Sequence, residues 1–370
     1  MATAPDLSGA GRDAREPPPP RGGPLAWVRR NLFSSWANAA ATAVVGLALA
    51  WLLPRAVAWL FLRAVYAPDY DACRALDYRA ACWGFVAEKH RLILFGRYPF
   101  AEQWRPLAAT ALFVAALALS AHPRAWRRWL APAWLPVVAA FFLLLRGGVL
   151  GLAPVDPSAW GGLPLTIVLT ALVVAASIPL GIVLALGRRS RMPLVRGLST
   201  LYIELVRGVP LITVLFVASF LFPLLLPAGL RLDALARVAV GMTFFQAAYM
   251  AEVVRGGLQA LPRGQGEAAE ALGLSWWKVQ RRVILPQALV LVIPSFVNSL
   301  LSTFLDTSLV TVVSIYDLTG SLRLALGDPQ WRNFFLEGYL FVGAIYFASC
   351  LAMSRYSHWL ERHLGRWARA

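Results

Sequence analysis

"GQGEAAEALGLSWWKVQRRVILPQAL", residues 264–289, reads as a charged, alanine-rich helix pair with a glycine at its middle, yet apolar runs such as "VAVGMTFF" and "PSFVNSLLSTFL" flank it. Glu267 to Leu272 forms helix readily, and its carboxylate stands at the end where the helix dipole favours negative charge. Gly273 ends that helix, because glycine tolerates the left-handed backbone that a helix terminus often needs. Ser275 is placed to cap a second helix through its hydroxyl, with Trp276, Val279, Val283 and Leu285 on an apolar side against Lys278, Arg281 and Arg282. Pro286 marks the entry into the next apolar run. The segment is thus a bent, surface-lying helix pair. It fits either an amphipathic interfacial linker or an element that inserts into a groove on another protein.

The flanking runs decide the solvent. The chain has 370 residues, 59% hydrophobic and 15% charged, with a mean hydropathy of +0.61; this is too apolar for a water-soluble domain of that length. A helix needs roughly 20 apolar residues to cross a bilayer, and no alternating ten-residue strand pattern occurs. The fold class is therefore all-α: a polytopic membrane protein with about eight transmembrane helices, at 37–61, 106–121, 132–152, 163–186, 199–222, 236–254, 286–304 and 338–354.

The net charge of +16 sits in short loops between these runs, as in "HPRAWRR" (122–128), "GRRSRMPLVR" (187–196) and "KVQRR" (278–282). That is the positive-inside pattern, and it leaves no soluble face for nucleic acid. It places both termini in the cytoplasm of a multi-pass membrane protein and puts loop 62–105 on the periplasmic or extracellular side. Cys73 and Cys82 share that loop, where either a local disulfide or two unpaired thiols fits. Residues 1–35 begin Pro-rich and without a signal-peptide pattern, and read as a disordered cytoplasmic tail. His90, His122, His358 and His363 have no metal-ligand spacing, so no metal site is expected.

"EAAEALGLSWWKVQRRVILPQAL" resembles the EAA loop of ABC-transporter permease subunits. The likeness continues through "WGGLPLTIVLT" (160–170), "ELVRGVPLITVLF" (204–216), "AAYMAEVVRGGLQALPRGQGEAAEALG" (247–273) and "DTSLVTVVSIYDLTGS" (306–321), which are similar to the polar amino-acid uptake branch. "ACWGFVAEKHRLILFGRYPFAEQWRP" (81–106) and "MSRYSHWLERHL" (353–364) resemble the longer M-type permease of the general L-amino-acid uptake system. The resemblance implies a type I ABC importer permease core over 159–356, with a cytoplasmic coupling loop at 262–286. An N-terminal extension at 36–158 with about three spans precedes it, and a cytoplasmic tail at 357–370 follows. Glu267, Ala268, Ala269, Gly273 and Pro286 match the family's ATPase-coupling motif.

The resemblance also implies an ABC ATPase dimer, a second permease (identical or paralogous), a periplasmic amino-acid-binding protein and membrane lipid as partners. ATP and Mg belong to the ATPase, because this chain has no P-loop pattern and no cofactor of its own. Transport of L-amino acids, polar or broad-range, follows, with no bond chemistry on this chain. The alternative is a self-contained secondary transporter driven by an ion gradient, which would show two related halves with midspan acids.

Two E-x-x-R-G copies stand near span ends. Glu204 pairs with Arg207 and Glu252 with Arg255 by helical spacing, in a structural or gating role. Pro210 follows the first copy and is the span proline expected to border the pathway. Asp306, Thr307 and Ser308 are further pathway candidates, although Leu305 stands where members of the branch commonly carry lysine.

Overall fold

The computed structural model describes residues 23–225, 227 and 232–364. Most of the expected N-terminal tail, and residues 365–370 of the C-terminal one, lie outside the described residues. The chain forms two compact units, Met1–Ala64 with Leu76–Ala81, and Val65–Ala75 with Cys82–Ala370.

In the first unit, α1 (Pro24–Leu32) precedes α2 (Trp36–Val57). Ser35 caps α2 by accepting the Asn38 N–H at 3.2 Å, as a serine at this position does. No residue of α2 is buried, as suits a helix whose surroundings are hydrocarbon. Its last turn widens into a π-turn at Ala58–Leu62, after which the Trp59 indole donates to the Tyr78 carbonyl at 3.0 Å.

The second unit runs α3 (Tyr70–Ala75), α4 (Gly84–Phe95), α5 (Trp104–Ala121), α6 (Leu130–Arg146), α7 (Gly162–Arg188), α8 (Pro193–Arg207), α9 (Leu211–Phe216), α10 (Phe222–Leu225), α11 (Ala234–Ala260), α12 (Gly264–Ala271), α13 (Trp276–Val279), α14 (Leu285–Leu291), α15 (Ile293–Asp306), α16 (Leu318–Ala325) and α17 (Phe335–Leu364). The chain is all-α, and among the described residues 6 helices are long and apolar enough to cross a membrane, or 7 if the bent pair is one span.

The count of eight needs two corrections. Expected span 132–152 is the 17-residue α6, about 26 Å long and short of a bilayer core. It stops because Gly147 and Gly148 both take positive φ. Expected span 199–222 is broken instead of straight: Pro193–Arg207 and Leu211–Leu225 meet at 104°. Pro210 supplies the break, since it has no N–H to continue the helix.

α7 and α11 form the centre and run parallel. Gly181 brings them together: a Cβ there would lie 2.5 Å from the Met250 Cβ and 3.0 Å from the Ala251 nitrogen. Val168, Leu169, Val173, Val238 and Met242 are buried in the same cluster as Phe113 of α5 and Phe141 and Leu145 of α6. The fully buried Arg105 ties α5 to α6, its Nε donating to the Leu144 carbonyl at 2.7 Å and its Nη1 to Ala153 at 2.8 Å. The first of these bonds satisfies a carbonyl that the end of α6 leaves without a helical partner.

At the end of the unit where α7 begins, "WGG" and "YDLTGS" meet. The Gly162 N–H donates to the Tyr316 carbonyl at 3.0 Å and to Ser321 Oγ at 3.1 Å, and Thr166 Oγ1 accepts from the Leu318 N–H at 3.1 Å. Asp317 is fully buried and caps α16 by accepting the Gly320 N–H at 2.8 Å. Burial pushes its carboxyl up from the ordinary range, against hydrogen bonds from Gly320, Tyr346 and Thr311. α4 packs on this corner through the Lys89–Asp328 ion pair at 2.9 Å. Cys73 and Cys82 form a disulfide beside it, and the Cys82 N–H donates to the buried Glu337 at 2.8 Å.

Gly162 combines φ +65° with a site where a Cβ would collide with the Leu94 backbone. Gly151 has φ +74° with nothing within 4 Å. Gly151→Ala should cost about 1 kcal/mol of backbone strain, or about 2–4 °C in the unfolding temperature of the detergent-solubilised chain. Gly162→Ala should cost at least twice that. Equal shifts would remove the close-packed corner from the account.

Candidate functional site

The helix pair at 264–289 is built as a hairpin on the far end of the α7–α11 pair. Gly273 has φ +75°, and its N–H bonds the Glu270 carbonyl at 2.9 Å while the Leu274 N–H bonds Ala269 at 3.3 Å. This is the two-bond glycine stop of a helix C-terminus, and Leu274 packs back onto the buried Ala269. Glu267 lies in the first turn of α12 and, like Ala268, is exposed.

Ser275 differs from its expected role. Its backbone is extended at the N-cap position, but its hydroxyl makes no cap bond. Its carbonyl accepts the Val279 N–H at 3.0 Å instead. The helix then widens into a π-turn at Gln280–Ile284 before α14. Pro286 explains the widening, because its missing N–H cannot close the ordinary bond one turn back.

Val279, Ile284 and Ala288 of the hairpin are buried against Ala185 and Leu186 of α7, Ile203 of α8, and Val254 and Leu258 of α11. Gly257 allows α14 to approach α11: a Cβ there would meet the Ala288 carbonyl at 2.7 Å. The tip of the hairpin remains apolar and open, with Leu272 82% and Trp277 69% exposed.

Five charged side chains gather where the hairpin joins the spans. Glu252 accepts from Arg188 Nη1 at 2.7 Å, from Arg255 Nη2 at 2.6 Å and Nε at 2.9 Å, and lies 3.6 Å from Arg207 Nη1. Arg188 also reaches Glu204 at 2.8 Å. The expected Glu252–Arg255 pair is present. Glu204 does not pair with Arg207; it bonds Arg188, and Arg207 turns to Glu252. Three guanidiniums thus share one carboxylate, which is only 15% exposed. Arg188 sits in an arginine-rich stretch and carried no signal of its own.

Arg207 also lies over the Tyr249 ring at 5.6 Å, and Tyr249 opens onto a cleft of about 560 Å³ bounded by α9, α11 and α15. Ser295, Asn298, Ser299, Ser302 and Asp306 line it from α15, with Gln246 and Tyr249 facing them from α11. Their spacing of three, four and seven residues is one helical stripe. A polar stripe inside a span faces water or another protein rather than lipid. Leu211, next to the break at Pro210, lines the same cleft. Thr307 does not: it is fully buried, and its hydroxyl donates to the Phe304 carbonyl at 2.8 Å. Ser308 is half-buried, and its carbonyl accepts from Thr311 at 3.2 Å. Single serines and one asparagine in an apolar run were too ordinary for sequence reasoning to find, though their period was there to read.

Glu252→Gln leaves Arg207 and Arg255 without a carboxylate and Arg188 with Glu204 alone. Breaking so shared a pair, short of full burial, should cost about 1–3 kcal/mol. Glu204→Gln, at 57% exposed, should cost less than about 1 kcal/mol. Thermal unfolding of the purified chain at low and high salt checks the order, and a larger loss for Glu204→Gln would overturn this view of the cluster.

Comparison with known proteins gives the family. Residues 177–366 match the family described as "Binding-protein-dependent transport system inner membrane component". The inner membrane amino-acid ABC transporter permease protein YhdY of Escherichia coli (strain K12) is 45% identical over 347 residues, covering 91% of this chain and 92% of that protein. The glutamate/glutamine/aspartate/asparagine transport system permease protein BztC of Rhodobacter capsulatus is 38% identical over 93% of this chain and 94% of its own length. A crystal structure of an amino acid ABC transporter with histidines is similar at 29% identity over 55% of this chain and 92% of that chain, with a TM-score of 0.49. The first two relatives share the N-terminal third as well as the spans around the hairpin, and this chain belongs to their family, the binding-protein-dependent transport system inner membrane components, as an amino-acid ABC transporter permease.

Proposed function

We propose that this permease subunit imports L-amino acids, polar ones among them, through the cleft of α9, α11 and α15, and that it is driven by a separate ATPase dimer docked on the α12–α13 turn. The hairpin is the observation that carries this reading. Its inner face is buried on the ends of α7, α8 and α11, while its apolar tip is open. Displacement of the tip is therefore passed to the spans as a rigid movement instead of being absorbed in a loop.

The cleft suits an amino acid by its chemistry. Asp306 offers a carboxylate for an ammonium group, and Gln246, Asn298 and Ser302 offer donors and acceptors for a polar side chain. The name of the Rhodobacter relative specifies glutamate, glutamine, aspartate and asparagine, which supports a polar cargo. The resemblance to M-type permeases supports a broad range.

The cleft lies on one side of a single chain, so a second permease, identical or paralogous, completes the pathway. A periplasmic binding protein delivers the cargo. The arginine-rich ends of the spans, with the hairpin, face the cytoplasm, and both chain ends lie there too. ATP and Mg are held by the ATPase. Glu252 and the four charges around it stand between hairpin and cleft and act as the joint through which closure of the ATPase alters access.

Gly273 provides the test. It has φ +75° and no atom within 4 Å of an added Cβ, so substitutions there act through backbone preference alone. Copurification of the ATPase from membranes should fall in the order Gly, Asn, Ala, Val, because asparagine enters the left-handed region more readily than alanine and a β-branched residue least of all. Membrane insertion should remain unchanged across the series. Equal recovery of the ATPase with Gly273→Val would count against docking at this turn, and recovery of the chain alone with gradient-driven uptake would replace the importer reading.

A further inference from the structure

We infer that the end of the unit opposite the arginine cluster carries a binding site for a zwitterionic glycerophospholipid, in the cleft where the end of α6 meets the starts of α7 and α11. The cleft encloses about 300 Å³. Its inner walls are Phe142, Leu169, Leu172 and Ala239, and its mouth holds Trp160, Arg146 and Asp233. Leu172 lies ten residues into α7, about 15 Å below its start. The cleft therefore runs from the polar edge of the bilayer into the hydrocarbon.

Trp160 identifies what the mouth accepts. Its side chain leans on Phe142 with ring centroids 6.0 Å apart, and the residue is only 7% exposed. The indole Nε1–H has no acceptor among the described residues, although a buried indole usually finds one. An ester carbonyl carried on an acyl chain meets both demands, since the chain fills the apolar depth and the carbonyl accepts from Nε1.

The charges at the mouth define the headgroup. Arg146 is exposed at the end of α6 and offers a fork to a phosphate. Asp233 is exposed at the N-cap of α11, with Oδ1 on the Ala236 N–H at 2.6 Å, and offers a carboxylate to an ammonium. One cation and one anion flanking an apolar cleft fit a phosphatidylethanolamine better than an anionic lipid. The inference requires only that these helices span a membrane and is independent of the transport reading.

The experiment is a titration of the delipidated full-length chain, in mild detergent, with dioleoylphosphatidylethanolamine, counting bound lipid by native mass spectrometry. The wild-type chain should take up one lipid in preference to dioleoylphosphatidylglycerol. Trp160→Phe, which keeps the ring and removes the N–H, should bind about five-fold more weakly, as expected for one neutral hydrogen bond. Leu172→Gln, at a position 38% exposed and so open to substitution, should also weaken binding, and Asp233→Asn, which keeps the N-cap of α11 and removes the charge that reads the ammonium, should erase the headgroup preference. Glycerophosphoethanolamine, which lacks the chains, should not compete. Wild-type affinity in both Trp160→Phe and Leu172→Gln would overturn the site, as would full competition by the chainless headgroup. Disulfide cross-linking of Leu172→Cys between two copies in native membranes would assign the cleft to a protein neighbour instead.

Discussion

The close approach of α7 to α11 at Gly181 is the constraint on which the second unit depends. Two parallel helices of 27 residues each touch backbone to backbone where glycine leaves room, and in a bilayer such contact stabilises through packing alone, without a hydrophobic driving force. Because the helices run in the same direction, both arginine-bearing ends fall on one side and both starts on the other. Everything charged is thereby sorted by face. The guanidiniums of Arg188 and Arg255 converge on Glu252 at one end, and the Gly162 corner closes the other.

That sorting explains why the charge cluster is shared instead of paired. Arg188 ends α7, Glu252 stands two turns before the end of α11, and the seam between the two helices brings them to 2.7 Å. Arg207 arrives from α8 across the bend at Pro210, and it touches both Glu252 and the Tyr249 ring. A residue of the broken span thus contacts the fixed pair on one side and a wall of the cleft on the other. In a low-dielectric setting these contacts are strong enough to hold the break in one arrangement, yet they involve side chains still partly open to solvent and can be exchanged.

Local features were legible in the sequence and distant ones were not. The stop at Gly273, the Glu252–Arg255 spacing and the apolar lengths of α7 and α11 are properties of a few consecutive residues, and periodicity finds them. The Arg188–Glu252 bond joins residues 64 apart, and no spacing rule reaches across two helices. The bend at 208–210 was visible as Gly-Val-Pro but was outweighed by the apolar count on either side. Trp160 carried no signal of its own in "WGGLPLTIVLT", and only the packing of Phe142 against it shows that its ring is enclosed.

Gly162 and Gly273 occupy the same left-handed region of backbone space for different reasons. At Gly162 the neighbouring backbone at Leu94 leaves no volume, so that any side chain is excluded. At Gly273 the surroundings are empty, and the exclusion comes from chirality alone: a D-alanine would fit the turn with less strain than its L enantiomer. The hairpin tip is therefore open to chemistry of the opposite hand that the corner at Gly162 would reject, and the ribosome's restriction to L residues is what reserves this position for glycine.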